Sequence, residues 1–481
     1  MAGIGFQLKK LIAKGNYAGW LRAHIYGAVI SAGPWLLSIT TLATLSLLSR
    51  NIVRGAEHTL ARSIIVYAYT FSLITTGAAQ MVVTRHLADC LYVGDEGAFL
   101  RAFRWTIGTT ALCHAALAAV FYALGPDLPP GVGLIGAVLF VVVACLWMTM
   151  VFVGAMRDYV SVVWAFLVGH VLSLGAALAA GWHWGVLGFL GGFTLGQAAI
   201  YFVLAARVEH EFAQAKEPQR RRGIRHAFRR YAPLAVAGFF YNLAISVDRL
   251  VFWASSEGVR VRPWLYGSLY DAPLFFAYVS IVPAFAIFLV NVETDFYDGY
   301  RRYYGVVTKH GTLRQVLEAK AGMTASLREG LRRLGLVQLP VTLGLIVLAP
   351  QLARPLALDS LQIAILRAAL VGAGLHVLTL FGMIILLYFD RRRAALEVTG
   401  VLLGLNLGLT MTTLWLGPRF YGHGYALAAL ASALWAYRRL EETLADLEFL
   451  TFASQPLSPE VEPILPPERA AAGAPAVLGG S

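Results

Sequence analysis

Two ionisable side chains stand next to each other in an apolar stretch of the second half of the chain. Asp248 and Arg249 occur in NLAISVDRLVFW, and a further charge, Arg367, lies in a later apolar stretch. An ionisable group in a membrane-spanning helix is costly and commonly marks a substrate or ion pathway. Adjacent helical residues project about 100° apart, so we expect Arg367 rather than Arg249 to be the partner of Asp248. A binding or coupling site and a structural salt bridge both stay open.

Other polar groups give little sign of catalysis. His376 shares an apolar stretch with Arg367 and could respond to a proton gradient or simply make a structural hydrogen bond. No histidine pair has metal-ligand spacing, and the three cysteines are scattered, so we expect neither a metal nor a cofactor. The sequence contains no P-loop, nucleophile elbow or HExxH motif, and we predict no catalytic residue.

The elements that position these residues follow from composition. The 481 residues are 58% hydrophobic and 14% charged, whereas soluble domains are about 25% charged. A helix needs roughly 20 apolar residues to cross a bilayer, and twelve stretches qualify. They cover residues 24–48, 62–84, 103–125, 132–155, 159–181, 185–206, 231–254, 272–296, 334–352, 362–389, 395–416 and 422–441. The sequence therefore predicts an all-α polytopic membrane protein.

The basic residues predict the orientation. With twelve spans, 30 of the 39 Lys and Arg residues fall on the side of the N-terminus and 7 on the other side. Cytoplasmic loops of membrane proteins collect Lys and Arg, so we expect both termini in the cytoplasm. The net charge of +12 is then explained by topology and by anionic lipid headgroups. No nucleic-acid partner is needed to explain it.

The connections divide the chain into regions. We expect an N-terminal six-helix lobe over 1–206, a basic cytoplasmic linker over 207–230, a C-terminal six-helix lobe over 231–452 and a disordered cytoplasmic tail over 453–481. The segment 312–333 is either an interfacial helix or a lead-in to the ninth span.

Two predicted spans carry glycines at every fourth position, which favours close helix packing or a hinge. These rows are Gly188, Gly192 and Gly196, and Gly400, Gly404 and Gly408.

The start of the chain resembles a known family. MAGIGFQLKKL and IYGAVISAGPWLLSI, with Ser31, Gly33, Pro34 and Trp35, are similar to the N-terminus of the PelG family, and VETDFYDGYRRYY is similar in character. That family comprises inner-membrane transporters of the bacterial Pel exopolysaccharide. It is related to the multidrug/oligosaccharidyl-lipid/polysaccharide exporter superfamily. The resemblance covers about residues 1–450.

The resemblance implies a fold, a function and partners. Twelve helices in two pseudo-symmetric six-helix lobes would surround a central cavity through which a growing polysaccharide crosses the inner membrane. A cytoplasmic glycosyltransferase would supply the polymer, beside a membrane complex that includes a cyclic-di-GMP receptor. The resemblance implies no catalytic residue in this chain.

Under this interpretation several residues become candidates for the substrate path. Trp35 and Tyr241 offer rings to a sugar, Asn242 offers an amide, and Asp248, Arg249, Arg367 and His376 offer charge or protons. At the cytoplasmic entrance, Glu293, Asp295, Tyr297, Arg301 and Arg302 could bind the polymer, or form an aromatic belt with compensating charges.

Three other kinds of function stay open at this point: a related transporter, a membrane-embedded enzyme, and a scaffold that merely organises the synthase. A lipid-linked oligosaccharide flippase or a cation-coupled antiporter would share the superfamily. A membrane-embedded glycan-modifying enzyme is disfavoured because the longest outer loop, 255–271, offers few acids and bases.

Overall fold

The computed structural model describes residues 55–125, 127–215, 223–356 and 358–453, together with single positions between 33 and 53. Long helices dominate the first part. They are α1 (Ala56–Val93), α2 (Glu96–Leu124), α3 (Pro130–Met156) and α4 (Tyr159–Glu211). Trp35 and the predicted tail beyond Ala453 lie outside the described residues.

The second part alternates short and long helices. It contains α5 (Ile224–Arg230), α6 (Ala232–Ala244), α7 (Val247–Ala254), α8 (Asp271–Val279), α9 (Val282–Asn291), α10 (Tyr297–Thr308), α11 (Leu313–Leu356), α12 (Ser360–Tyr388), α13 (Arg392–Leu416), α14 (His423–Ala445) and α15 (Leu447–Phe452). A π-helical turn, Val292–Phe296, joins α9 to α10, and a short 3₁₀ turn, Pro418–Phe420, precedes α14. A β-hairpin of β1 (Gly258–Arg262) and β2 (Leu265–Ser268) connects α7 to α8.

The helices confirm a multi-pass membrane protein, and the predicted number of twelve spans is not confirmed. Eight helical segments of the described chain are long and apolar enough to cross a bilayer, one of them Asp271–Phe288 across α8 and α9. The number is nine if α6 and α7 form one span. The predicted first span, 24–48, lies mostly outside the described residues. Helix α14 covers the predicted twelfth span but is not among the eight. The two lobes and the central cavity therefore stay predictions.

Helix α4 covers two predicted spans and is broken between them. Helix α4 has 53 residues, and its backbone leaves the helical region at Gly185, with φ 58° and ψ −138°. A non-glycine residue rarely adopts such a conformation. The break falls at the predicted boundary between the fifth and sixth spans, so glycine chemistry permits the chain to reverse there.

The predicted seventh span is broken. Helices α6 and α7 meet at a bend of 52°, and a bend frees carbonyl groups that need other donors inside a membrane. The carbonyl of Ala244 accepts a hydrogen bond from the Asn406 amide at 2.9 Å, and the carbonyl of Ile245 accepts one from the Tyr278 hydroxyl at 3.4 Å. Side chains from α13 and α8 therefore stabilise the bend.

The two glycine rows behave differently. A Cβ at Gly188, Gly192 or Gly196 would come within 2.0–2.3 Å of Ala180, Ala176 or Ser173, so close packing is confirmed between the two halves of α4. A Cβ at Gly404 or Gly408 would meet no atom of the described residues within 4 Å. Close packing is therefore wrong for that row within the described part of the chain.

The two ends of the helix bundle differ in charge. At the end that we call the basic end, Arg104 pairs with Glu209, Arg207 with Asp158 and Lys320 with Glu448, each at 2.6 Å. This end comprises residues 85–104, 157–158, 207–215, 223–230, 297–333 and 389–393. The opposite end carries the β-hairpin, and we call it the hairpin end.

Candidate functional site

Asp248 lies at the bend between α6 and α7 and is fully buried, with 0% of its surface exposed. One carboxylate oxygen accepts a hydrogen bond from the Tyr270 hydroxyl at 3.1 Å, and the other accepts one from the Arg249 backbone amide at 2.9 Å. The Tyr270 ring in turn stacks on Phe252 with centroids 4.2 Å apart. A buried charge needs such partners, so the bend and the stacked rings together hold this carboxylate.

Arg249 points away from Asp248 toward the first part of the chain. Its Nη1 donates to the Thr70 hydroxyl of α1 at 3.2 Å, and its guanidinium lies 5.9 Å from the centre of the Trp253 ring. Its Nε is buried and has no hydrogen-bond partner among the described residues. Arg249 therefore places a charge at the contact between α1 and α7.

The predicted pair of Asp248 and Arg367 is wrong. Arg367 is exposed on α12, and its Nε donates to the Ile346 carbonyl of α11 at 3.2 Å. It lies about 10 Å along the helix from Ser360, since each residue rises 1.5 Å. A long basic side chain near a helix end can reach polar groups at the membrane surface. The guanidinium of Arg367 is thus exposed and hydrogen-bonded without contacting Asp248.

Two further candidates meet inside the second part. The Tyr241 hydroxyl and Nε2 of His376 are 3.1 Å apart, with donor and acceptor set by the tautomer of the imidazole. The rings of Tyr278 and Tyr425 surround the imidazole at 6.2 and 6.3 Å. His376 Nδ1 is buried without a hydrogen-bond partner among the described residues. The result is a buried set of hydroxyls around one imidazole.

Asn242 instead faces the first part of the chain. Its amide donates to the Leu73 carbonyl of α1 at 3.1 Å. At the same crossing, a Cβ at Gly77 would lie 2.5 Å from the Asn242 amide nitrogen and 2.7 Å from the Gly238 carbonyl oxygen. Only glycines permit this approach of α1 to α6. The approach is not predictable from the sequence, because Gly77 and Gly238 belong to no glycine row.

The entrance candidates lie around the π-helical turn at the basic end. Asp295 pairs with Arg333 at 3.3 Å, with about half of each side chain exposed, so the pair contributes little to stability. Arg301 and Arg302 are exposed and Tyr297 is half-buried. The Glu293 side chain lies outside the described residues.

Two of the five rings of this segment are packed away from solvent, and the other three are half-buried. Phe296 and Tyr303 are buried, and the Tyr300 hydroxyl donates to the Tyr388 carbonyl at 3.2 Å. Tyr297, the predicted ring, is half-buried, as are Tyr300 and Tyr304, so each keeps part of its surface open to a ligand.

The structure also brings together a cluster that the sequence did not predict. We call it the Tyr231 cluster: Arg85, Asp89, Tyr231, Asp390 and Arg392. The buried Tyr231 donates to Asp89 of α1 at 2.5 Å, and the guanidinium of Arg392 lies 4.5 Å above its ring.

Ion pairs complete the Tyr231 cluster. Asp390 pairs with Arg392 at 2.6 Å and with Arg85 at 3.9 Å, and Arg85 also lies 3.6 Å from Asp89. Three segments distant in sequence therefore meet at the basic end. Only the folded arrangement reveals this meeting, because no local spacing connects them.

No group of three or more His, Cys, Asp or Glu side chains in the described residues could hold a metal ion. The arrangement instead offers single charges, hydroxyls and rings along the contact of α1 with α6 and α7. Such groups can bind and guide a polar ligand.

Comparison with known structures identifies the fold. An outward-facing multidrug resistance MATE family transporter of the MOP superfamily superposes with a TM-score of 0.64 at 13% identity, over 88% of this chain and 96% of that chain. The Vibrio cholerae MATE transporter VcmN in its bent form gives 0.61 at 13% identity, over 89% and 99%. A MOP superfamily transporter from Pyrococcus furiosus, whose binding pocket is described as having reverse polarity, gives 0.58 at 14% identity, over 88% and 96%.

At such low identity these likenesses establish a transporter fold of the MATE type and nothing about substrate. No curated protein matches the chain. The family model of PelG, described as "Putative exopolysaccharide Exporter (EPS-E)", matches residues 1–452. Family and fold together indicate a membrane transporter rather than an enzyme, and the chain belongs to the PelG family of exopolysaccharide exporters.

Proposed function

We propose that this protein moves a nascent, Pel-like exopolysaccharide across the bacterial inner membrane. The match of the exporter family over residues 1–452 carries the proposal. Two six-helix lobes, 1–206 and 231–452, would flank a central cavity, with 207–230 as the linker between them and both termini in the cytoplasm. The excess of Lys and Arg at the basic end supports this orientation.

The path that we propose follows the contact of α1 with the broken span α6–α7. Asn242 and Arg249 lie directly on this contact, since they bond to Leu73 and Thr70 of α1. Asp248 and the Tyr241–His376 pair lie just behind it. If the lobes separate along α1, these side chains gain access to the cavity and offer donors and acceptors to sugar hydroxyls. Trp35 stays a candidate ring for the same path.

The basic end would receive the polymer. Asp295, Tyr297, Arg301 and Arg302, with Glu293, are our candidates for the entrance. The Tyr231 cluster would close this end, because it joins α1 of the first lobe to the α12–α13 connection of the second. Opening would break the ion pair between Arg85 and Asp390, which are both partly exposed, and the hydrogen bond from Tyr231 to Asp89. An exposed ion pair contributes little to stability, so the cost is modest.

The same end offers surfaces to cytoplasmic partners. Helix α11 has 44 residues, about 66 Å at 1.5 Å per residue, which is twice the thickness of a bilayer core. Its first half is polar and packs on α10 and α15, with Val316, Met323 and Leu327 buried. We propose that this projection and the linker 207–230 contact a glycosyltransferase and a membrane complex with a cyclic-di-GMP receptor.

The experiment is deletion and complementation in the bacterium that encodes the chain. Extracellular and cell-bound polysaccharide are measured separately. The proposal expects loss of extracellular polymer on deletion and its return with the plasmid-borne chain. Unchanged extracellular polymer in the deletion strain would overturn the proposal.

A lipid-linked oligosaccharide flippase or a cation-coupled antiporter is the alternative. The shared fold with MATE transporters, one of them described as a multidrug resistance transporter, favours it. An antiporter would change cellular accumulation of a fluorescent organic cation when the chain is deleted, with extracellular polysaccharide unchanged. The exporter proposal expects the reverse pattern.

A further inference from the structure

The tip of the β-hairpin presents an aromatic ring in an unusual backbone position. Trp264 has φ 65°, in the left-handed region, and 61% of its surface is exposed. It follows Pro263 in the two-residue turn between Arg262 and Leu265. Proline followed by a positive φ is the pattern of a type II turn, whose third position ordinarily takes glycine or asparagine. A large L-residue there is strained and invites a functional explanation.

The hairpin itself is fixed firmly against the first lobe. Leu265, next to the ring, is completely buried at 0% exposure, and the Tyr266 amide donates to the Tyr67 hydroxyl of α1 at 2.9 Å. Behind Trp264, a Cβ at Gly125 would come within 3.4 Å of its Cγ, so the ring lies against the end of α2. The hairpin of one lobe therefore bridges to the other at the hairpin end, with the indole positioned and still open to solvent.

Two guanidinium groups accompany the ring. Arg260 and Arg262 of β1 are exposed, and neither forms an ion pair with a described residue. A guanidinium presents five N–H donors in a planar fork. An exposed indole beside free N–H donors is a suitable surface for a pyranose ring, whose C–H face packs on the electron-rich aromatic face while its hydroxyls accept hydrogen bonds.

We infer that Trp264, with Arg260 and Arg262, forms an exit site that binds a pyranose unit of the polymer as it leaves the hairpin end. This inference rests on the proposed function and adds a binding site to it. Binding of this sugar unit resists backward sliding of the polymer, so the site raises the net rate of polymer export. The strained backbone is tolerated because it presents the ring outward.

The test compares three substitutions at one position in the deletion strain, with extracellular polymer measured per amount of membrane-inserted protein. Trp264→Phe keeps a ring and retains most export. Trp264→Leu keeps an apolar side chain, and Trp264→Gly relieves the backbone strain. Both lower export about threefold to tenfold, the effect expected of losing one aromatic contact. The thermal midpoint of purified Trp264→Gly equals or exceeds that of the parent, which separates export from folding.

The matched control is Trp415→Leu, at the end of α13, where the indole is 83% exposed and the backbone is helical. Its export stays unchanged. Wild-type export by Trp264→Leu would show that the indole is only a membrane-interface anchor and would overturn the inference. Wild-type export by Trp264→Gly would do the same. Extracellular polymer at the wild-type level in the deletion strain, which lacks this protein, would instead overturn the proposed function.

Discussion

At the scale of single residues, Asp248 is the charge that most needs an explanation. Its carboxylate has lost all contact with water and is held by one hydroxyl and one backbone amide. Such a site satisfies a charge but leaves capacity for a further ligand or proton. We therefore regard Asp248 as part of the transport path, and Arg367 as a membrane-surface residue.

Asp248→Asn tests this assignment. The amide keeps the size and one acceptor but removes the charge, so we expect near-normal protein levels. Export should fall about tenfold or more, since a hydrogen bond to a charged group contributes roughly 1.5–3 kcal/mol. Arg367→Ala is the control and should leave export unchanged, because among the described residues its exposed guanidinium bonds only to Ile346. Equal effects of the two substitutions would contradict the assignment.

A second residue-scale prediction concerns the crossing of α1 and α6. Gly77→Ala would bring a methyl group within 2.7 Å of the Gly238 carbonyl, so something must shift. We expect a destabilisation of about 1–3 kcal/mol, typical of overpacking. Gly108→Ala in α2 meets no described atom within 4 Å and should be neutral or stabilising by up to about 1 kcal/mol. Unfolding in detergent measures both, and equal stabilities would refute the tight crossing.

The sequence predicted part of the site for a physical reason. Charged residues in apolar stretches are rare, so Asp248 and Arg249 were recognisable without a structure. Their partners were not, because Tyr270 and Thr70 are common residues whose proximity depends on how helices pack. Arg367 was misplaced for the same reason: hydropathy shows that a residue is in a span, not which neighbour it faces.

At the scale of elements, Gly185 forms the reversal between the two halves of α4. Its φ of 58° with ψ of −138° is a conformation that glycine alone adopts easily. Gly185→Ala should lower the free energy of unfolding by about 1–3 kcal/mol, the usual cost of a strained backbone. Gly175→Ala, in the helical part of α4 with nothing within 4 Å, should be neutral or stabilising. If both variants unfold at the same temperature, the break does not depend on glycine.

The elements show which features hydropathy can locate. Most predicted span boundaries fall within or near the helices found, because a bilayer-length apolar run has few alternatives to a helix. The bend at Ile245 and the π-helical turn at Val292–Phe296 were not predicted. The bend is stabilised by hydrogen bonds from other segments, such as that from Asn406 to Ala244, which hydropathy does not register.

At the scale of the whole molecule, α1 connects the first part of the chain to the second. Along one side it contacts the second part at Tyr67, Thr70, Gly77 and Asp89, from the hairpin end to the basic end. If the two parts are lobes that the polymer passes between, as we propose, at least part of this contact must open. The Tyr231 cluster is the part that faces the supply of polymer.

A crosslink across this cluster should stop export. In a background without Cys90, Cys113 and Cys145, the pair Arg85→Cys and Asp390→Cys joins α1 to the α12–α13 connection when treated with a short thiol crosslinker. The control pair Arg104→Cys and Glu209→Cys joins α2 to the end of α4, away from that contact, where the parent side chains are 2.6 Å apart. We expect loss of export only for the first pair, reversed when a reducible crosslinker is cleaved. Equal behaviour of both pairs would count against opening at the basic end.

The most direct test of the central claim is reconstitution. Inverted vesicles contain the purified chain and the polymerising glycosyltransferase, and receive a radiolabelled nucleotide-sugar from outside. We expect labelled polymer inside vesicles whose chain carries the control crosslink, where it is protected from an added glycoside hydrolase. We expect no protected polymer in vesicles whose chain carries the crosslink between positions 85 and 390. Protected polymer in vesicles that lack the chain, or in vesicles that carry the locked chain, would contradict the account.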